Sequence, residues 1–179
     1  MRKKITLGIC GTIGASNIDN YIAILSQKYD INVIITENAR NFISYQSVKY
    51  YSNSLNNEMF DESINSVLHV KLAEECDLFM IMPASANIIG KLSSGIADDL
   101  LTSTVLNYEK EILLFPNMNQ KMWTNKIVIK NVNNLKENNF KIYNFKKKTF
   151  EAYNQELKET DCALPSIKEL VNIIEQNMQ

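Results

Sequence analysis

Short apolar runs alternating with helical stretches are what most constrain the fold of this chain. Lys4–Cys10 (KITLGIC), Asp30–Ile35 (DINVII), Leu78–Met82 (LFMIM), Ile112–Phe115 and Phe140–Phe145 read as strands, with Pro83 and Pro116 stopping the third and fourth. Apolar periodicity predicts helices from Ser16 to about Gln27, over Ala39–Ser44, towards His69–Cys76, and over Ser85–Ser93. It predicts three more over Ala97–Lys110, Lys126–Asn138 and Ser166–Glu175, with Gly95 as punctuation before the first of them. Ser16 with Asp19, and Ser166 with Glu169, have the spacing of a capping box. Residues 45–65 are polar and read as a surface excursion. This alternation implies an α/β fold, Rossmann- or flavodoxin-like, as a single domain over residues 1–179, its parallel sheet covered by helices on both faces. Right-handed crossovers then gather the strand-to-helix loops at the carboxyl edge of the sheet, where ligands bind.

Composition removes several function classes. The chain has 179 residues, 45% of them hydrophobic, enough to bury a core of this kind. Nineteen basic residues face twenty acidic ones, and Lys146–Lys148 is the longest basic run, so there is no nucleic-acid footprint. No window approaches the roughly 18 consecutive apolar residues of a membrane span. Met1-Arg2-Lys3-Lys4 leads straight into a strand, so nothing directs export. Cys10, Cys76 and Cys162 lie far apart without metal-ligand spacing, which suits the reducing cytoplasm and no metal site.

The edge loops carry the candidate chemistry. Gly8, Gly11 and Gly14 surround Thr12 and Ile13 in a G-x-x-G-x-x-G spacing, which serves either an anion's close approach or tight strand-to-helix packing. In the second loop, Thr36-Glu37-Asn38, Glu37 would suit a nucleotide ribose and Thr36 a phosphate. Ser85, in Pro83-Ala84-Ser85-Ala86-Asn87-Ile88, is placed to cap a helix whose first N–H groups face the edge. The fourth loop, Pro116–Trp123, offers the donor and acceptor of Asn119, whereas Met122 and Trp123 suit core packing. His69 is the only histidine; such a residue is commonly structural, yet imidazole is the side chain whose ordinary pKa, about 6.5, suits proton transfer near neutrality. There is no G-x-S-x-G elbow, second histidine or Walker lysine, which disfavours hydrolase and kinase chemistry.

Four segments together resemble one family, the homo-oligomeric flavin-containing cysteine decarboxylases: GTIGAS (Gly11–Ser16), LHVKL (Leu68–Leu72), PASANIIGKLSSGIADDLLTS (Pro83–Ser103) and PNMNQKMW (Pro116–Trp123). They come in the family's order and span roughly residues 5–140. Within that family the chain is most similar to the lantibiotic peptidyl-cysteine decarboxylases of the epidermin type, through FPNMN, KTFE (Lys148–Glu151) and ALPSI (Ala163–Ile167). The alternative is phosphopantothenoylcysteine decarboxylase of coenzyme A synthesis, whose clamp holds a proton-donating cysteine. The corresponding region here, Glu151–Lys158, has none, and Cys162 lies only three residues before Pro165. A non-catalytic regulatory flavoprotein is a third reading, disfavoured by the presence of both His69 and Asn119.

The resemblance implies oxidative decarboxylation of the C-terminal cysteine of a precursor peptide. The thiol loses its proton, hydride passes from Cβ to FMN, and CO2 departs from the thioaldehyde to leave an aminoenethiol for S-aminovinyl-cysteine formation. By the same resemblance His69 is the base; Gly11, Thr12, Ile13, Thr36, Asn38, Ser85, Ala86, Asn87, Ile88 and Asn117 hold FMN; and Asn119 and Met122 meet the substrate. It further implies a homotrimer or a dodecamer of trimers, with Leu100, Val105 and Leu106 available to the contact, and a substrate clamp over residues 146–163.

Overall fold

The alternation of side chains along one central strand shows how the core divides. Leu78, Met80 and Met82 enter one apolar layer, while Phe79 and Ile81 enter the other. A strand buried on both faces needs apolar residues at every position rather than every second one, and LFMIM supplies them.

The computed structural model describes residues 2–59, 67–151 and 156–178. In chain order its elements are β1 (Lys4–Ile9), α1 (Ile18–Leu25), β2 (Asp30–Ile35), α2 (Tyr45–Tyr51), β3 (Ser54–Asn56), α3 (Leu68–Glu74), β4 (Leu78–Ala84) and α4 (Ala86–Ser93). There follow α5 (Leu100–Leu106), β5 (Ile112–Pro116), α6 (Gln120–Trp123), α7 (Lys126–Glu137), β6 (Phe140–Ile142), β7 (Phe145–Glu151), β8 (Glu156–Ala163) and α8 (Ile167–Asn177). Six parallel strands form one sheet in the order β3-β2-β1-β4-β5-β6. Helices α1, α2 and α8 bury their apolar stripes on one face, and α3, α4, α5 and α7 on the other. The expected α/β architecture is the one observed.

The differences from expectation have local causes. Ser16 does not cap a helix; its hydroxyl donates to the Ile13 carbonyl at 2.9 Å within a 3₁₀ turn over Ile13–Asn17, and α1 starts only at Ile18. Pro83 does not end β4, because the proline keeps its carbonyl, which accepts from the Cys10 N–H at 3.1 Å. The polar stretch after residue 44 contains α2 and the short edge strand β3, paired with β2; its part over 60–66 lies outside the described residues. Asp99, through a capping box with Thr102, delays α5 to Leu100. Leu100 and Val105 are core residues, so of the three positions expected at a subunit contact only Leu106 is exposed.

The segment expected as a clamp loop is a hairpin. β7 pairs antiparallel with β8 alone, as a two-stranded sheet separate from the main one. Its base is held to α8, where the predicted capping box forms and Lys147 Nζ lies 2.6 Å from Glu169 Oε2. That ammonium, and then the Ser166 hydroxyl and N–H, pull the Glu169 carboxyl down to about 2. A carboxylate held below its unfolded value of about 4.3 stabilises the fold above that pH and loses its contribution as pH falls towards the folded value. Because the pair is partly exposed, Glu169→Gln should cost about 1 kcal/mol at pH 7 in urea unfolding. The gap to wild type should narrow progressively below about pH 4.3; a gap independent of pH would show that the charge is not what matters.

Candidate active site

The carboxyl ends of β1, β4 and β5 open into a chamber of about 400 Å3, and the hairpin supplies its opposite wall. Gly11, Thr12, Ile13, Ser85, Ala86, Asn117, Asn119 and Met122 line it, all of them expected at a site. Met118, Gln120, Thr149, Lys158, Glu159, Thr160 and Cys162 line it as well. Thr149, Lys158, Glu159, Thr160 and Cys162 fall within the segment expected as a substrate clamp, but none is singled out by the sequence, because β7 and β8 read as a charged loop without the alternation that marks a strand face.

Thr36, Asn38, Asn87, Ile88 and His69 do not reach this wall. Thr36 turns its hydroxyl back towards the Ile9 carbonyl, at 3.4 Å. Asn38 packs behind the first loop: a Cβ on Gly11 would sit 2.6 Å from the Asn38 carbonyl carbon and oxygen. A Cβ on Gly14 would meet the Asn117 carboxamide oxygen at 2.6 Å. Gly11 and Gly14 thus let neighbouring edge loops approach closely. Ile88 is a core residue, and its N–H donates to the Ser85 hydroxyl oxygen at 3.3 Å.

Two capping side chains give the chamber its polarity. Ser85 uses its oxygen to accept from Ile88 and its hydroxyl also faces the buried Cys10 sulfur, while the first N–H groups of α4 have no partner within the helix. Asn119 uses its carbonyl oxygen to accept from the Met122 N–H at 2.9 Å, which leaves its NH2 to donate. The sequence offers both halves of that amide, and the structure engages the acceptor half with the start of α6. Acceptor-only anions are what such groups suit: a phosphate at Ser85 and α4, and a carboxylate at Asn119. The donor set therefore fits the phosphate of a flavin mononucleotide. Met122 is 44% exposed and Ile13 58%, so neither is core packing.

Asn117 joins the walls. Its Oδ1 accepts from the Thr12 hydroxyl at 2.8 Å and from the Gly14 N–H at 3.2 Å. Its Nδ2 donates to the Cys162 carbonyl, at the base of β8, at 3.1 Å. Cys162, set apart by its spacing from Pro165, nevertheless stands at this wall; burial and then the Asp161 charge push its thiol up to about 12. His69 is the second residue of α3, half-buried, and its Nδ1 is buried with no hydrogen-bond partner among the described residues.

The architecture is that of an α/β protein with its chamber at the carboxyl edge of a parallel sheet. The chain belongs to the flavoprotein family, which it matches over residues 1–179. It is 34% identical over 179 residues to the epidermin decarboxylase of Staphylococcus epidermidis, covering 99% of this chain and 97% of that one. A probable phosphopantothenoylcysteine decarboxylase of Streptococcus mutans is 34% identical over 146 residues, 79% of this chain and 82% of the relative. Among solved structures, a histidine-to-asparagine variant of the decarboxylase EpiD, in complex with the substrate peptide DSYTC, superposes with a TM-score of 0.87 at 31% identity, covering 98% and 99% of the two chains.

Replacing Asn117 by Ala removes an acceptor used twice and a donor used once. The expected cost is about 2 kcal/mol in urea unfolding, with faster hydrogen exchange at the Gly14 amide. Unchanged exchange there would mean that the carboxamide does not hold the loop.

Proposed function

We propose that this chain is an FMN-dependent peptidyl-cysteine decarboxylase, acting on a peptide that ends in cysteine. The observation that carries the reading is the two-sided chamber: phosphate donors from the sheet edge on one side, and on the other a carboxylate donor, Asn119, facing a hairpin long enough to lie along a peptide. Similarity to epidermin decarboxylase over nearly the whole chain, hairpin included, supports the peptide as substrate class.

Ser85, Ala86 and the Gly11–Ile13 loop would hold FMN, which would supply a two-electron acceptor for oxidation of the cysteine's carbon–sulfur unit before CO2 leaves. Asn119 binds the terminal carboxylate, Met122 covers it, and Thr149, Lys158 and Thr160 line the path of the preceding residues. His69 is the group that takes the thiol proton. It does not line the chamber of its own chain, so we assign it to the chamber of a second copy in a homo-oligomer, a trimer or multiple of trimers. The exposed Val67 next to it and the exposed Ile13 at the chamber are apolar surface suited to that contact. Three buried free thiols fit the cytoplasm.

The purified protein should be yellow, and a peptide ending in cysteine should lose the mass of CO2 and two hydrogen atoms. His69→Asn should keep FMN and lose turnover by at least about 100-fold. His69→Asn and Asn119→Ala, inactive separately, should regain part of the wild-type turnover when refolded together. Colourless protein that refuses FMN would refute the reading, and inactive mixtures would place His69 in its own chain's site. Turnover of phosphopantothenoylcysteine with peptides untouched would assign the coenzyme A reaction instead.

A further inference from the structure

The β7–β8 hairpin pairs with no strand of the main sheet, and a lone two-stranded hairpin is marginal in water. Its position over the chamber therefore depends on what holds its base. Lys147–Glu169 ties it to α8, and Asn117 ties it to the β1 loop. A third tie comes from Gln120, the residue after the carboxylate donor Asn119. Gln120 Nε2 donates to Asp161 Oδ2 at 2.7 Å. Its Oε1 accepts from the Asp161 N–H at 2.9 Å and from the Thr160 hydroxyl at 3.4 Å. One carboxamide thus holds both a backbone and a side-chain group of β8. The Thr124 hydroxyl and N–H in turn bind the Gln120 carbonyl, at 2.9 and 3.0 Å, which stiffens the short helix α6.

Thr160 and Lys158, two apart on β8, lie on the hairpin face that lines the chamber, with Thr149 paired opposite Lys158. Fixing Thr160 and Asp161 to Gln120 therefore fixes the distance from the carboxylate donor to the wall beside the rest of the peptide. We propose that Gln120 is a positioning residue for the peptide, locking the hairpin wall to the loop that carries Asn119 so that the two bind a substrate tail as one surface. The inference rests on the peptide reading above and deepens it. Recognition by such a surface depends on peptide length, because only a tail that reaches the hairpin gains from its being held still.

The test uses FMN-loaded protein, a five-residue peptide ending in cysteine, and a dipeptide ending in cysteine. Gln120→Ala should raise KM for the five-residue peptide roughly fivefold to tenfold, the effect of one or two hydrogen bonds, with kcat and FMN affinity within about twofold. KM for the dipeptide should not move. Asp161→Asn keeps an acceptor for Nε2 and should behave as wild type, whereas Asp161→Ala should match Gln120→Ala. The double variant Gln120→Ala/Asp161→Ala should be no worse than either single one. Equal KM values for Gln120→Ala and wild type, equal losses for the two peptides, or additive losses in the double variant would overturn the proposal. Hydrogen exchange at the amides of Lys158–Thr160 reads the lock without turnover and should be faster in Gln120→Ala. If wild type turns over no cysteine-terminal peptide, the functional reading fails while exchange still decides the lock, and unchanged exchange overturns it.

Discussion

The chamber depends on one carboxamide. Loops at the carboxyl edge of a parallel sheet spread apart unless something crosses between them, since each is covalently tied only to its own strand and helix. Asn117 crosses twice, to the loop after β1 and to the base of β8, while its N–H continues the ladder to the Ala84 carbonyl at 2.9 Å. Asparagine suits this place because it carries an acceptor with two lone pairs and two donors on a short stem. Gly14 leaves the room: any side chain there would stand where the Asn117 oxygen does. The sheet-edge wall and the hairpin wall thus share an anchor, and loosening it affects both.

Two residues that line the chamber serve twice. Ser85 and Asn119 both serve as helix caps, and a capping side chain spends its acceptor on the backbone. Asn119 keeps its NH2 donors, and the first N–H groups of α4 stand beside Ser85. Such donors suit groups that only accept, as a phosphate and a carboxylate do. The residues that begin the helices therefore also face the chamber, and Asp in place of Asn119 would keep a cap while putting a negative charge there.

Much of this is legible in the amino-acid order, where local physics decides. Buried parallel strands announce themselves as unbroken apolar runs, so β1, β2, β4 and β5 lie where they are expected. The capping box at Ser166 is legible because both of its partners are local; the one at Ser16 fails because residues 13–17 are taken by a 3₁₀ turn. The hairpin is harder. Its sequence alternates little, since Lys146, Lys147 and Lys148 occupy both faces of β7, and only pairing with β8 separates Lys147, bound to Glu169, from its neighbours. The roles of Gln120 and Thr160 depend on contacts 40 residues apart, and no spacing rule encodes them. His69 is recognisable by its chemistry, but α3, which crosses back from β3 and packs over β1 and against α5, does not bring it to the chamber wall.

The chain's own thiols bear on the same chemistry. A flavin site that oxidises a substrate cysteine brings a strong two-electron acceptor near sulfur, and any thiolate of the protein standing there would compete. Cys10, directly before the Gly11 loop, is pushed up to about 12, chiefly by burial, and Cys162 at the opposite wall is pushed to about 12 for the same reason. Cys76, beneath α3, is also raised by burial. At neutral pH all three stay as thiols, and the thiol is neither the nucleophile nor the readily oxidised form. A substrate cysteine entering from water keeps an ordinary pKa near 8.5 until a base acts on it. Burial, reinforced at Cys162 by the Asp161 charge, keeps the protein's own sulfur protonated, so deprotonation is left to the thiol that arrives from outside.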